Sequence, residues 1–189
     1  MSPGSPYLLI INSSTVENVF NTYLFKALDA YPYELEEAIE ALNYALSFEP
    51  DNTKALCLMA RVYSEQLEDY NAAKSCYEKA MSSQLEMPGI YPDYIRLLLA
   101  NEDYDQAQRL IDFALTIKGT DKATLHLLQG QLYEGLGQFT SAISALKRSK
   151  GLAFNNDFVR FAEEEITRVK NKLPKKRRKK KSNKKKKGA

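Results

Sequence analysis

Small and apolar residues recur every three to four positions along most of the chain, a spacing typical of amphipathic helices. Four segments share one version of this pattern: an alanine, a larger residue four positions later and a small residue seven positions later. The leading alanines are Ala38, Ala73, Ala107 and Ala142, at intervals of 35, 34 and 35 residues. Offsets of four and seven place these side chains on one stripe of a helix. The regular interval predicts an internal structural repeat.

A second amphipathic stretch lies upstream of three of these segments, and a short turn separates the two. Each repeat is therefore predicted to be a helix pair. In the fourth repeat, Leu125, Leu128 and Leu132 share a face, and Gly130 permits close approach of another helix. In the third repeat, we expect the first helix to begin at Pro92, because proline suits the first helical position. An aromatic residue opens the second helix in three repeats: Tyr70, Tyr104 and Phe139.

These residues resemble the tetratricopeptide repeat family, whose unit is a 34-residue helix-turn-helix. The fourth repeat matches best, with Gly130, Tyr133, Gly137, Phe139 and Ala142 in register. The resemblance implies an all-α fold, an α-solenoid of about four stacked helix pairs. We place an N-terminal extension at residues 1–13 and the repeats within 14–152. Their approximate bounds are 14–52, 53–87, 88–120 and 121–152.

A final amphipathic helix is predicted at residues 153–173, where apolar positions alternate with charged ones. Asn155 is a candidate residue to cap its start, and Pro174 ends it. Such a helix would cover the exposed face of the repeat stack, as terminal elements do in solenoids. Residues 174–189 are predicted to be a disordered tail, because only Ser182 and Asn183 are uncharged between Lys175 and Lys187 and the like charges repel one another.

Charge is divided unequally along the 189-residue chain. The net charge is +3, but the tail holds 11 of the 27 lysines and arginines and none of the 24 acidic residues. The remainder therefore carries 16 basic and 24 acidic residues, a net charge of about −8. The tail could neutralise phosphates, contact an anionic membrane surface, act as a nuclear import signal in a eukaryote, or merely aid solubility. Its candidate polyanion-binding residues are Lys175, Lys176, Arg177, Arg178, Lys179, Lys180, Lys181, Lys184, Lys185, Lys186 and Lys187.

Residues that could support catalysis are sparse. The single histidine, His126, lies among leucines, and Cys57 and Cys76 show no disulfide or zinc-ligand spacing. No glycine-rich phosphate loop is present, and no apolar run reaches the length of about 18 residues that spans a bilayer. We therefore predict a non-enzymatic protein without metal, cofactor or stable membrane insertion. The expected compartment is the cytoplasm, or the nucleus if the source is eukaryotic.

In the family that the chain resembles, the first helices of the repeats line a groove that binds a peptide. Carrying this over by position gives seven candidate groove residues: Tyr23, Ala27, Cys57, Arg61, Arg96, Leu127 and Gln131. Arg61 and Arg96 occupy equivalent places on adjacent repeats, so together they could bind a carboxylate, since arginine binds carboxylates bidentately. The alternative is that both are solvated arginines on helix surfaces.

These features favour an adaptor that binds a protein or peptide partner in the groove and a polyanion through the tail. The alternative is a nucleic-acid- or ribosome-associated protein in which the tail is the primary binding element. An enzyme is the least favoured class, because no catalytic motif is present.

Overall fold

The computed structural model describes residues 13–174, and its side chains are described from Thr22 onward. Within this range the chain forms nine α-helices, one π-helical turn and no strand. The helices are α1 (Ser13–Ala30), α2 (Leu35–Phe48), α3 (Thr53–Arg61), α4 (Tyr70–Ser83), α5 (Ile90–Ala100), α6 (Tyr104–Ala114), α7 (Lys122–Gly135), α8 (Phe139–Leu152) and α9 (Asn156–Lys172). The predicted polyanion-binding residues 175–187 lie outside the described residues.

The helices stack as four pairs, and each pair packs on the next. Within the pairs α1 packs on α2, α3 on α4, α5 on α6 and α7 on α8. The four repeat alanines, Ala38, Ala73, Ala107 and Ala142, are fully buried. One core cluster joins the first two pairs and another joins the second, third and fourth. The predicted all-α solenoid of four helix pairs is thus confirmed.

The turn between the two helices has the same backbone in three pairs. Glu68, Glu102 and Gly137 each lie five residues before the repeat alanine and have φ angles of 53°, 58° and 71°. This left-handed conformation favours glycine, because a side chain there clashes with the backbone. Only the fourth pair places glycine at this turn position.

The second pair contains a π-helical turn, Val62–Gln66, at the end of α3. The backbone N–H of Leu67 donates to the Val62 carbonyl at 3.2 Å, five residues back. This wider turn inserts one residue between the buried Ala60 and Ala73, relative to Gly130 and Ala142 in the fourth pair. The second pair therefore spaces its two buried small residues one position further apart than the fourth pair does.

The start of α5 differs from the prediction. The helix begins at Ile90 and not at Pro92, which is its third residue. Proline is tolerated there because the first four backbone N–H groups of a helix have no intrahelical acceptor. The apolar Ile90 and Tyr91, both buried, extend the helix toward the core.

The capping helix α9 is confirmed. The Asn155 side chain accepts a hydrogen bond from the Phe158 backbone N–H at 2.9 Å, which caps the helix as predicted. Ile166 and Val169 are buried against Leu127 and Leu146 of the fourth pair. The helix therefore closes the apolar face that the last repeat would otherwise expose.

Candidate protein-binding surface

Three of the predicted binding residues lie on equivalent positions of successive first helices. Arg61 ends α3, Arg96 lies in α5 and Gln131 lies in α7. The side chains of Arg61 and Arg96 are 40% and 54% exposed, and Gln131 is partly exposed. All three are therefore accessible to a ligand.

Arg61 belongs to a cluster that joins the first and second pairs. Its Nε lies 3.2 Å from Oε1 of Glu65, and its guanidinium lies 5.0 Å from the centre of the Tyr31 ring. The Tyr31 hydroxyl donates a hydrogen bond to the other Glu65 carboxylate oxygen. Partial burial acts to raise the pKa of Glu65, but the hydrogen bonds from Tyr31 and Arg61 and the nearby positive charges lower it overall. Glu65 therefore stays ionised and holds both partners.

Asp93 and Arg96 extend this cluster onto the third pair. Arg96 Nη1 lies 2.5 Å from Asp93 Oδ1. Burial acts to lower the pKa of Arg61, but Glu65 and, more weakly, Asp93 raise it overall, and the charge of Arg96 adds to those that lower the pKa of Glu65. We call Tyr31, Arg61, Glu65, Asp93 and Arg96 the charged cluster. It holds two positive and two negative side chains, so each arginine already has a carboxylate partner.

Two predicted groove residues, Ala27 and Leu127, are too buried to contact a ligand, which corrects the prediction there, and a third, Tyr23, is partly buried against α2. Tyr23 stacks on Tyr44 and Phe48 of α2, with ring centres 5.1 and 6.2 Å away. Ala27 is fully buried in the core between the first two pairs. Leu127 is 8% exposed because α9 covers it.

The first-pair corrections have a common cause, a repeat that is one residue shorter. Tyr23 pairs with Tyr44 as Tyr91 pairs with Phe113 in the third pair, but Tyr23 lies one residue nearer to its repeat alanine. Counting back from Ala38 with the usual spacing therefore misplaces each position by one. Leu28, which is 48% exposed, occupies the place equivalent to Arg61 and Arg96. The sequence pattern carried no signal for this residue, because α1 ends one position further from its repeat alanine than α5 and α7 do from theirs.

The remaining candidates have structural roles. Cys57 is half-buried against the core of the second to fourth pairs. Burial, with a contribution from Asp93, raises the pKa of its thiol to about 11, so the thiolate is scarce at neutral pH. Burial also raises the pKa of Cys76. His126 is partly buried, with Nδ1 3.1 Å from Oε1 of Gln129 on the same helix.

Among the described side chains, no group of three or more histidine, cysteine or acidic residues is placed to hold a metal ion. None of the described helices combines the length and apolar character that crossing a bilayer requires.

The stacked pairs and the capping helix define an α-helical repeat protein. Residues 53–86 and 123–156, which contain the second and fourth pairs, match the tetratricopeptide repeat family model. The predicted resemblance to the tetratricopeptide repeat family is therefore confirmed, on the two repeats with the best sequence match.

Solved structures show the same fold. The pilF protein of Pseudomonas aeruginosa is 16% identical, with a TM-score of 0.67, over 83% of this chain and 76% of that chain. The MamA protein is also 16% identical with a TM-score of 0.67, over 82% and 83% of the two chains. TTC0263, a thermophilic TPR protein of Thermus thermophilus, is 19% identical with a TM-score of 0.62, over 83% and 93%. No curated protein matches the chain significantly in sequence.

Proposed function

We propose that the protein is a non-enzymatic adaptor that binds a peptide segment of a partner on the surface formed by its first helices. The observation that carries this proposal is the charged cluster, in which partly exposed arginines on adjacent repeats share one surface. Repeat scaffolds bind extended segments on such surfaces, because successive repeats present side chains in a regular row.

The cluster supports an extended peptide with an acidic group at one point and an apolar residue further along. A peptide carboxylate can replace Asp93 at the Arg96 guanidinium, since this ion pair is solvent-exposed and exposed pairs contribute only about 0.2–1 kcal/mol. An apolar residue further along the peptide would contact Leu28, which is 48% exposed on the first pair, beyond Arg61 of the second. Binding thus exchanges one ion pair for another and adds apolar contact.

A peptide display selection tests the proposal. Peptides enriched on the wild-type protein are measured against the double variant Arg61→Gln with Arg96→Gln. The matched control is Arg109→Gln with Arg148→Gln, which removes two arginines from the second helices α6 and α8. We expect affinity to fall at least about tenfold in the first variant only. Equal affinity for all three proteins would place the binding surface elsewhere.

The second candidate function is polyanion binding through the tail. The charge division of the sequence favours it, because 11 basic residues follow a body of net charge about −8. A segment of this charge would bind phosphates without sequence preference, while the helix pairs recruit the protein partner. Pull-downs with and without nuclease separate these contributions, since only partners held through nucleic acid are lost on digestion.

A further inference from the structure

The second and third pairs share a cleft of about 330 Å³ between their second helices, α4 and α6. The wall from α4 holds Glu78 and Met81, which follow the repeat alanine Ala73 by five and eight residues. We call these two places the trailing positions of a pair, because they are turned toward the next pair along the chain. The wall from α6 holds Arg109, so a carboxylate and a guanidinium line the two sides of this junction.

The wall from the third pair can be counted in the same way. Gln106, Arg109 and Phe113 lie one residue before, two after and six after the repeat alanine Ala107. We call these places the leading positions of a pair. The first helix of the pair contributes to the same wall, because Gln106 donates from Nε2 to the Tyr94 hydroxyl at 2.9 Å. A junction is therefore built from the trailing positions of one pair and the leading positions of the next.

The leading positions of the first pair are uncovered, because no pair precedes α1 in the described chain. They hold Glu37, Glu40 and Tyr44. Lys26 of α1 lies 3.1 Å from Glu37, so the two helices meet here as α5 and α6 do. Glu40 lines one depression with Lys26 and Glu37 and another with Tyr44, so these residues form one continuous surface. Among the described side chains Glu40 has no ion-pair partner, and Tyr44 is 48% exposed.

The trailing positions of the fourth pair hold Lys147 and Lys150. Lys147 is exposed and forms no ion pair with any described side chain. Lys150 lies 2.7 Å from Glu163 of α9, and its side chain remains 40% exposed. The capping helix packs on α8, but no second helix follows it within the described residues. The side of these two lysines that a further second helix would cover is therefore open.

We propose that the protein associates head to tail, with the leading positions of one copy packed on the trailing positions of another. Lys147 of one copy would lie opposite Glu40 of the next, as Glu78 lies opposite Arg109 within the chain. The signs are reversed, because the internal junction has its acid in trailing position and the two ends have theirs in leading position. Charge complementarity therefore favours joining the two ends over joining either end to an internal pair.

The remaining positions supply apolar contact. Within the chain Phe113 shares the cleft with Met81. Between copies the equivalent residues are Tyr44 and Lys150, and the methylene groups of a lysine can pack on an aromatic ring. Two different surfaces meet in such a contact, so a third copy can add to the second in the same way unless the rotation closes a ring. The mean mass should therefore increase progressively with concentration.

Light scattering of the full-length protein over a concentration series tests the proposal. We expect Glu40→Lys and Lys147→Glu each to weaken association at least about tenfold, because each places like charges across the contact. A mixture of the two variants should associate as the wild-type protein does, since their altered ends attract each other and so do their unaltered ends. The matched controls are Glu86→Lys and Lys54→Glu, which make the same charge changes at exposed residues outside both ends. Circular dichroism verifies that the variants remain folded.

Each other outcome overturns the proposal. A wild-type protein that keeps the mass of a monomer up to about 1 mM has no contact of useful affinity. Association that neither variant weakens would use another surface. Association that Glu40→Lys weakens and Lys147→Glu does not would make the basic residues 174–189 the occupant of the first pair. A mixture that fails to associate would show that these two charges do not face each other.

Discussion

Glu134 of α7 and Arg168 of α9 form a two-point ion pair, with N–O distances of 2.5 and 2.6 Å. Lys172 adds a third contact to Glu134 at 2.6 Å. Burial acts to raise the pKa of Glu134, but the hydrogen bonds and charges of Arg168 and Lys172 hold it below its usual range. The ion pair therefore links the capping helix to the fourth pair, in addition to the apolar contacts of that helix.

Glu134→Gln should lower the free energy of unfolding by about 1 kcal/mol at neutral pH, because it removes the charge that Arg168 and Lys172 share. A carboxyl whose pKa is depressed by folding contributes its full stability above the unfolded-state pKa of about 4.3. That contribution is lost as the pH falls through the folded-state pKa. Urea titrations at pH 7 and at pH 3 should show a larger difference from wild type at pH 7 than at pH 3. Glu164→Gln, an exposed change on the capping helix, is the control and should have little effect.

Glu102→Gly should stabilise the protein by about 1 kcal/mol, because glycine adopts the left-handed φ of 58° without steric cost. Gly137→Ala at the equivalent turn should destabilise it by a similar amount. Thermal unfolding of the two variants measures both effects. Two changes in the same direction would show that the turn backbone is not what limits stability.

Gly130→Ala should destabilise the fourth pair. A Cβ atom at Gly130 would lie 2.7 Å from Cγ of Leu146 and 3.4 Å from the Ala142 carbonyl oxygen. Overpacking of this kind costs about 1–3 kcal/mol. Gly151→Ala in α8 is the control, since its Cβ meets no atom within 4 Å and alanine favours the helix. The midpoint of chemical denaturation should therefore fall for Gly130→Ala and rise for Gly151→Ala.

The fold followed from the sequence because every repeat signal is local. The alanine series ending at Ala142 marks a helix face, and Asn155 marks a helix start, whatever the rest of the chain does. The binding surface depended on counting residues between helices, and there one missing residue before Ala38 shifted Tyr23 and Ala27 out of place. Leu127 was mispredicted for another reason. The sequence of α9 predicts an amphipathic helix but not which leucine of the fourth pair that helix buries.

Cys57 should react slowly with thiol reagents. With a pKa of about 11 against about 8.5 for a free thiol, its thiolate is more than 100-fold scarcer at pH 7.5. Half-burial also restricts access to the sulfur. Alkylation followed by mass spectrometry should show modification of Cys57 at least about 100-fold slower than in the urea-unfolded protein. Equal alkylation rates in the folded and the unfolded protein would mean that Cys57 is fully accessible to the reagent in the folded protein.

Removing the chain after Leu173 should abolish nucleic-acid binding. For duplex DNA, eleven basic residues limit the slope of log affinity against log salt to roughly −10 at its steepest. The remaining body, at about −8, repels phosphate. Fluorescence anisotropy at several salt concentrations measures the slope. A full-length control with the eleven residues changed to glutamine separates charge from length, and binding by the truncated protein with an unchanged slope would assign the site to the helix pairs.

The π-helical turn at Val62–Gln66 has a consequence for how such chains change length. Leu58 ahead of it and Val62 at its first position pack on the first pair, and beyond it Tyr77 packs on the third, so the extra residue sits between two sets of buried contacts. One extra residue at this point is accommodated by the widened turn, and its loss would restore ordinary α-helical hydrogen bonding. Gene-level gain or loss of a single codon can therefore persist inside a helix of this architecture, where such events would otherwise rotate every following side chain by about 100°.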